Sequence, residues 1–201
     1  MYYSNIFGWF NNGQRNIYDN FVKLADNVQE TNILEIGCFL GKSSMYLAEK
    51  IKESGKPIKL HCVDYFQIRD DWPKNIKQKQ ELLDTYGRNL LIPFNNHINK
   101  LEVQNIVIPY QQSSNDALDY FIKNDYKFEY IFIDGGHDYL TVKNDIEKSL
   151  KVIKQNGIIA GDDYFTSKKN DQVQKAVDEI FGNEVEFLNN EIWIVNKNQS
   201  V

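Results

Sequence analysis

Short apolar runs recur along the chain and mostly end at glycine or aspartate, and this recurrence constrains the fold more than any other feature. The runs occupy residues 33–36, 58–63, 106–108, 130–133 and 157–160. Such runs are typical of strands buried on both faces of a parallel sheet. The stretches 42–53, 113–123, 139–153 and 168–181 carry apolar residues at helical spacing. The alternation predicts a doubly wound α/β fold.

The C-terminal part of the sequence predicts an antiparallel end to this sheet. Residues 185–188 and 192–195 are apolar and flank a short polar turn, as in a hairpin. With the five earlier runs they give a mostly parallel, seven-stranded sheet in one domain, residues 1–201. Residues 65–100 are long for one connection, so we expect a helical insertion near the substrate side, with Pro73 opening its first helix.

Composition excludes several classes of protein. The 201 residues are 42% hydrophobic and 25% charged, which is ordinary for one globular domain. A net charge of −5 with three arginines disfavours a large basic face for nucleic acid. Two cysteines exclude a disulfide scaffold and fit a reducing cytoplasm. With no membrane-length apolar segment and no signal-peptide pattern, we expect a cytoplasmic protein without nucleic-acid or membrane partners, and a homodimer stays open.

The first apolar run leads into a glycine loop, residues 37–44, and then into a helix. Gly37 and Gly41 let the backbone turn sharply and pass close to a ligand. The helix would offer free N–H groups to a carboxylate or phosphate, and Ser43 would cap it. The spacing is neither the Gly-x-Gly-x-x-Gly of dinucleotide binding nor the phosphate loop, which needs one more residue before Gly-Lys-Ser. The alternative is a simple tight turn.

Asp64 closes the second predicted strand. In open α/β sheets, ligands bind beyond the carboxyl ends of the strands, where an aspartate can accept hydrogen bonds from both hydroxyls of a ribose. The alternative is that Asp64 caps a helix. A glycine loop, a strand and a terminal acid in this order favour a cofactor that carries a nucleoside.

With these motifs the chain resembles the class I S-adenosylmethionine-dependent methyltransferases over roughly residues 30–195. The matching segments are 34–43, 63–64, 132–137 and 157–164. The resemblance implies that S-adenosylmethionine is the cofactor and that the glycine loop holds its methionine part. The implied cofactor contacts are Glu35, Gly37, Gly41 and Ser43 on the loop, Asp64 at the ribose, Ser113 and Ser114 near the adenine, and Asp134.

Two further segments, 134–137 and 162–164, resemble more narrowly the O-methyltransferases of catechols and of macrolide and aminocoumarin sugars. That branch places metal-binding carboxylates after the fourth and fifth strands, which implies Mg²⁺ or another divalent cation at Asp134, Asp162 and Asp163. It also implies that His137 and Asp134 are catalytic residues, with His137 as the base. The Asn/Asp-Pro-Pro-Tyr motif of base-modifying N-methyltransferases is missing from the fourth strand, which disfavours nucleobase methylation.

The chemistry of these side chains agrees with the implied site. Two carboxylates about 4 Å apart repel by roughly 4 kcal/mol at an effective dielectric of 20, so the aspartates need a proton, a basic partner or a cation. Oxygen ligands suit Mg²⁺ or Ca²⁺ better than zinc, and a histidine can accept a hydroxyl proton near neutral pH. The alternatives are aspartates that only end strands and a structural His137. His61, inside a strand, is expected to be structural, and His97 is given no role.

Aromatic residues outside the strands are candidates for covering the cofactor or stacking on a substrate, although a core role is the commoner one. They are Tyr65, Phe66 and Trp72 after the second strand, Tyr139 and Tyr164 near the acceptor, and Phe7, Trp9 and Phe10 within residues 1–30. We expect residues 1–30 to form a cap or lid.

We therefore predict an S-adenosylmethionine-dependent O-methyltransferase of a small hydroxylated acceptor, such as a sugar, a glycan or a catechol, with metal assistance and His137 as base. One alternative is a catalytically silent module of the same fold that binds a cofactor or a partner. The other is a nicotinamide-dependent oxidoreductase. The intact carboxylates argue against the first, and the missing dinucleotide fingerprint argues against the second.

Overall fold

Strands and helices alternate along the chain in a computed structural model that describes residues 1–70, 75–165, 171–188 and 191–197. The strands are β1 (Thr31–Ile36), β2 (Ile58–Asp64), β3 (Val107–Gln111), β4 (Phe128–Ile133), β5 (Ile153–Gly161), β6 (Glu186–Leu188) and β7 (Ile192–Asn196). The helices are α1 (Asn12–Leu24), α2 (Lys42–Ser54), α3 (Ile76–Tyr86), α4 (Leu91–Leu101), α5 (Ser114–Lys123), α6 (Tyr139–Val152) and α7 (Asp171–Phe181). Short 3₁₀ turns lie at Tyr2–Asn5 and Gly182–Glu184.

The seven strands form one sheet in the order β3-β2-β1-β4-β5-β7-β6. The first five strands pair in parallel, whereas β7 pairs antiparallel with both β5 and β6. Strand β6 therefore runs in the same direction as the first five. This topology confirms the predicted doubly wound α/β fold with an antiparallel C-terminal hairpin.

Both faces of the sheet are covered, which explains why its central strands read as nearly continuous apolar runs. In β1, Ile33 packs into one core with residues of α1, α2 and α4. Leu34 and Ile36 point to the opposite face and pack with residues of α5, α6 and α7. Because β1, β2, β4 and β5 are parallel, their carboxyl ends lie along one edge of the sheet.

Residues 1–30 and 65–100, for which the sequence predicted no strand, contain three of the helices. The insertion at 65–100 contains α3 and α4. Its first helix begins later than the expected opening residue, because Asn75 caps α3 by accepting a hydrogen bond from the N–H of Gln78. Pro73, the predicted opening residue, lies outside the described residues, as does Trp72. Helix α1, near the N-terminus, was not predicted, and it buries Tyr18 and Phe21 completely.

Among the helices described here, none combines the length and the apolar character that a membrane crossing requires. The division into a single domain with an N-terminal lid stays a prediction.

Candidate active site

A cavity of about 780 Å³ lies beyond the carboxyl ends of β1, β2, β4 and β5, the edge at which open α/β sheets bind ligands. Residues that follow these strands form one side of it, here called the strand-end wall: Gly37, Cys38, Asp64, Tyr65, Asp134, Gly135, Gly136, His137, Asp162 and Asp163. The other side, called the N-terminal wall, consists of Gly8, Trp9, Phe10, Asn11 and Gln14. The cavity therefore lies between two parts of the chain that are distant in sequence.

The glycines of the loop are required by packing within the protein. Gly37 has φ +92°, and a Cβ there would lie 1.9 Å from the backbone carbonyl oxygen of Asp134. Gly41 has φ +88°, and a Cβ there would lie 2.7 Å from the ring of Phe94. Gly37 lines the cavity, whereas Gly41 lies outside the lining as the N-cap of α2. The expectation that Ser43 caps this helix was wrong, because the N-cap is Gly41 and the helix begins at Lys42.

Glu35 is completely buried and lies behind the glycine loop, outside the lining of the cavity. Its carboxylate accepts hydrogen bonds from the hydroxyls of Ser43 at 2.6 Å, Ser44 at 2.5 Å and Tyr18 at 2.8 Å. Burial raises the pKa of Glu35, and these three hydrogen bonds oppose that rise. Glu35 thus ties the first turn of α2 to α1.

Asp64 organises the backbone of the glycine loop and does not cap a helix. Its Oδ2 accepts the N–H groups of Cys38 and Phe39 at 3.0 and 2.9 Å, and its Oδ1 accepts the N–H of Phe66 at 2.6 Å. Burial raises the pKa of Asp64 against these hydrogen bonds. Asp64 also lines the cavity, so the carboxylate that shapes the loop faces the ligand space.

The two serines after β3 have separate positions. Ser113 caps α5, its hydroxyl accepting the N–H of Asp116 at 3.0 Å, and it lies outside the lining of the cavity. Ser114 lines the cavity on the same side as Asp64 and Gln112. Ser114 is therefore the better placed of the two for a ligand.

His137 lies between two carboxylates at the other end of the cavity. Its Nε2 is 2.9 Å from Oδ2 of Asp163 and 3.9 Å from Oδ1 of Asp134. Hydrogen bonds to Asp134 and Asp163 raise the pKa of His137 to about 10, so the imidazole carries a proton at neutral pH in this arrangement. The ligand atoms of the three residues all lie within 4.8 Å of one another. The positively charged imidazolium therefore offsets the repulsion between the carboxylates of Asp134 and Asp163.

Asp162 lies beside this group without joining it. Its Oδ1 accepts the N–H of Asp163 at 2.8 Å, and its Oδ2 accepts a hydrogen bond from the side-chain amide of Asn11 at 3.0 Å. Burial, followed by the charge of Asp134, raises the pKa of Asp162 to about 7. The three aspartates predicted to bind a metal are thus neighbours. The group whose ligand atoms lie within 4.8 Å of one another, however, contains His137 with Asp134 and Asp163, and not Asp162.

The N-terminal wall contains polar residues that the sequence reasoning missed. Asn11 caps α1 through its Oδ1 and donates through Nδ2 to Asp162 and, at 3.3 Å, to Glu191. Gln14, in the first turn of α1, is 1% exposed. The Asn11-x-x-Gln14 spacing resembles a capping box, a signal that could have located the helix but not its place at the site.

The remaining histidines and aromatic residues mostly lie away from the cavity. His61 is buried in β2 and hydrogen-bonds the hydroxyl of Tyr110 at 3.0 Å and Oδ1 of Asn32 at 3.1 Å, as expected of a structural residue. His97, on α4, meets only the hydroxyl of Tyr2 among the side-chain hydrogen bonds of the described residues. Trp9, Phe10 and Tyr65 line the cavity, whereas Phe7, Phe66, Tyr139 and Tyr164 lie outside its lining.

The protein has a seven-stranded, Rossmann-like methyltransferase fold, with its cavity at the carboxyl ends of the strands. Among solved structures, the calicheamicin methyltransferase CalS11 matches with a TM-score of 0.66 and 14% identity, covering 92% of this chain and 77% of that one. The O-methyltransferase NovP matches with 0.63 and 14%, covering 92% and 80%. Cofactor-bound Rv0187 from MTB matches with 0.64 and 13%, covering 98% and 85%. Identities this low establish the fold alone.

Residues 34–164 match a family model described as a methyltransferase domain. The match covers well over half of the chain, so the chain belongs to this family and is an S-adenosylmethionine-dependent methyltransferase. Among curated proteins, no sequence matches the chain.

Proposed function

We propose that the protein methylates a hydroxyl group of a small acceptor, such as a sugar, a glycan or a catechol, with His137 as the base. The observation that carries this proposal is the group formed by Asp134, His137 and Asp163, which lines the same cavity as the glycine loop. A nitrogen base held between two carboxylates can take a proton from a hydroxyl that is methylated beside it.

The residues of the cavity fit the methyl donor. S-Adenosylmethionine, when bound, supplies a positively charged sulfonium whose methyl group is the electrophile. Gly37 leaves the backbone of the loop open to the ligand, Asp64 presents a carboxylate for the ribose, and Ser114 lies on the adenine side. Glu35, Gly41 and Ser113 lie outside the lining, and we propose that they support these contacts from behind.

Base catalysis requires His137 in its neutral form, and the same two carboxylates favour the protonated form. A ligand that engages Asp134 and Asp163 would release the imidazole from them, and a divalent cation or the hydroxyls of the acceptor could do so. The carboxylates of Asp134 and Asp163 fit such a cation, because oxygen atoms of the two lie within 4.8 Å of each other and oxygen ligands suit Mg²⁺. A divalent cation there would lower the pKa of an acceptor hydroxyl. We propose Asp134 and Asp163 as its ligands, with Asp162 at its side.

The test is methyl transfer to a panel of catechols and glycosides, with and without Mg²⁺, by the wild type and by a His137→Gln variant. Loss of a general base lowers turnover by 10²–10⁴-fold, and we expect at least a loss of about 100-fold with cofactor affinity unchanged. His97→Gln is the matched control, because His97 is partly buried outside the cavity lining.

Two results would contradict the proposal. Equal turnover by the His137 variant would remove this residue from the reaction. Cofactor binding without transfer to any hydroxylated acceptor would favour the catalytically silent module. The absence of nucleic-acid partners, a cytoplasmic location and a homodimer remain predictions from the sequence.

A further inference from the structure

We infer that Lys42 binds the carboxylate of the methionine part of the cofactor and holds the N-terminal wall to the bound ligand at the same time. The inference rests on the methyl donor assigned above, and it goes beyond it by naming a cationic contact. Lys42 is the first residue of α2, follows Gly41 directly and lines the cavity beside Gly37 and Phe39.

The side chain of Lys42 already crosses from one wall of the cavity to the other. Its Nζ donates to the backbone carbonyl oxygen of Gly8 at 3.1 Å. Gly8 has φ +149°, and a Cβ there would lie 3.4 Å from Cβ of Lys42, so the backbone of the N-terminal wall passes close to this lysine. Within the described part of the chain, no carboxylate lies within ion-pairing distance of the ammonium group.

The other cations of the described lining have partners of their own. His137 pairs with Asp163 at 2.9 Å. Arg69 lies over the ring of Tyr65 at 4.8 Å, and its charge lowers the pKa of Asp64. The ammonium of Lys42, by contrast, donates to a neutral backbone carbonyl oxygen, so its charge can still meet a ligand carboxylate.

The other charges around the cavity favour a ligand carboxylate at Lys42 over the opposite end. The far end of the cavity contains Asp134, Asp162, Asp163 and Glu191, which repel an anion. The hydroxyls of Ser43 and Ser44, which also belong to the loop, are already donated to Glu35 at 2.6 and 2.5 Å. An ammonium group has three N–H donors, so Lys42 can keep its bond to Gly8 while it binds a carboxylate.

The experiment removes the charge from the protein and from the ligand in turn. Calorimetric titration compares S-adenosylhomocysteine with its decarboxylated analogue, S-adenosyl-3-thiopropylamine, on the wild type and on Lys42→Met. We expect Lys42→Met to weaken S-adenosylhomocysteine by about 10- to 100-fold, the range for a hydrogen bond between charged groups. Lys42→Met should weaken the analogue too, through loss of the bond to Gly8, but by a smaller factor than it weakens S-adenosylhomocysteine. Lys42→Arg should restore most of the binding of S-adenosylhomocysteine.

Lys52→Met is the matched control. Lys52 lies on the same helix and also donates from Nζ to a backbone carbonyl oxygen, that of Leu101 at 2.7 Å, but it is outside the cavity lining. Its substitution should leave both affinities unchanged.

The outcomes separate this inference from the proposed function. If Lys42→Met weakens both ligands equally, Lys42 only fastens the N-terminal wall, and the carboxylate contact is wrong. If it weakens neither, both parts of the inference are wrong while the assigned cofactor stands. If the wild type binds neither ligand, the assigned cofactor itself is contradicted.

Discussion

The two walls of the cavity differ in how far their roles can be read from the sequence. Local sequence patterns predict the strand-end wall, because buried apolar runs end at Gly37, Asp64 and Asp134. The N-terminal wall carries no such pattern, although Asn11 reaches Asp162 and Tyr18, further along α1, reaches Glu35. In a parallel sheet the carboxyl ends of the strands meet at one edge, so the residues that follow them can be placed from the strand pattern alone. The position of a helix that lies over this edge depends on contacts between residues distant in sequence, which no local pattern indicates.

The largest expected effect concerns the glycine loop of the strand-end wall. Gly37→Ala should destabilise the protein by about 4 kcal/mol or more, because the added Cβ would meet a backbone carbonyl oxygen at a strained φ. Gly55→Ala is the control: Gly55 also has positive φ, but nothing lies within 4 Å of its Cβ position. It should cost about 1 kcal/mol. Urea unfolding measures both, and equal losses would show that packing does not single out Gly37.

His61 tests the interior that supports the strand-end wall. Burial, followed by the charge of Lys59, lowers the pKa of His61 to about 4. Between about pH 6.5 and 4 the unfolded chain therefore binds a proton at His61 that the folded chain does not bind. Its contribution to stability should be complete above about pH 6.5 and decrease by up to about 3 kcal/mol as the pH falls toward 4. Unfolding measured against pH should lose this dependence in His61→Gln. An identical profile in the variant would contradict the assigned pKa.

Tyr18 tests whether the N-terminal wall is integral to the fold. Tyr18→Phe removes a donor from the buried carboxylate of Glu35 and should cost about 1–3 kcal/mol. Tyr46→Phe is the control, because the hydroxyl of Tyr46 donates to Asp19 at 2.7 Å in a less buried place. Denaturant midpoints should order the two variants accordingly. A smaller loss for Tyr18→Phe would mean that α1 is only loosely attached.

Asn11 provides the smallest of these effects on stability. Asn11→Asp keeps a good N-cap but places a third carboxylate against Asp162 and Glu191, so we expect a loss of about 1 kcal/mol. Asn75→Asp changes the exposed cap of α3 in the same way and should cost nothing measurable. Thermal unfolding at low salt would compare them, and equal stabilities would show that Asn11 acts only as a cap.

The sequence predicted the strand ends well and their partners poorly. The alternation of apolar runs determines the sheet, and the positions of Asp64, Asp134 and His137 follow once the strands are parallel. The sequence did not indicate that Asp134 and Asp163 group with His137 rather than with Asp162, nor that Asp162 accepts a hydrogen bond from Asn11 of the opposite wall. The buried role of Glu35 could not be predicted from a local pattern either. Of the three hydroxyls that donate to it, two belong to the helix that follows and one to the helix that precedes it.

The central claim is that this cavity binds S-adenosylmethionine with Asp64 as an anchor, and titration with S-adenosylhomocysteine tests it most directly. The wild type should bind near micromolar, about −8 kcal/mol, and Asp64→Ala should weaken binding by about 100-fold. Asp26→Ala is the matched control, because Asp26 accepts two backbone N–H groups on an exposed loop away from the cavity. Its affinity should equal that of the wild type. Binding by Asp64→Ala that is as tight as that of the wild type would contradict the claim.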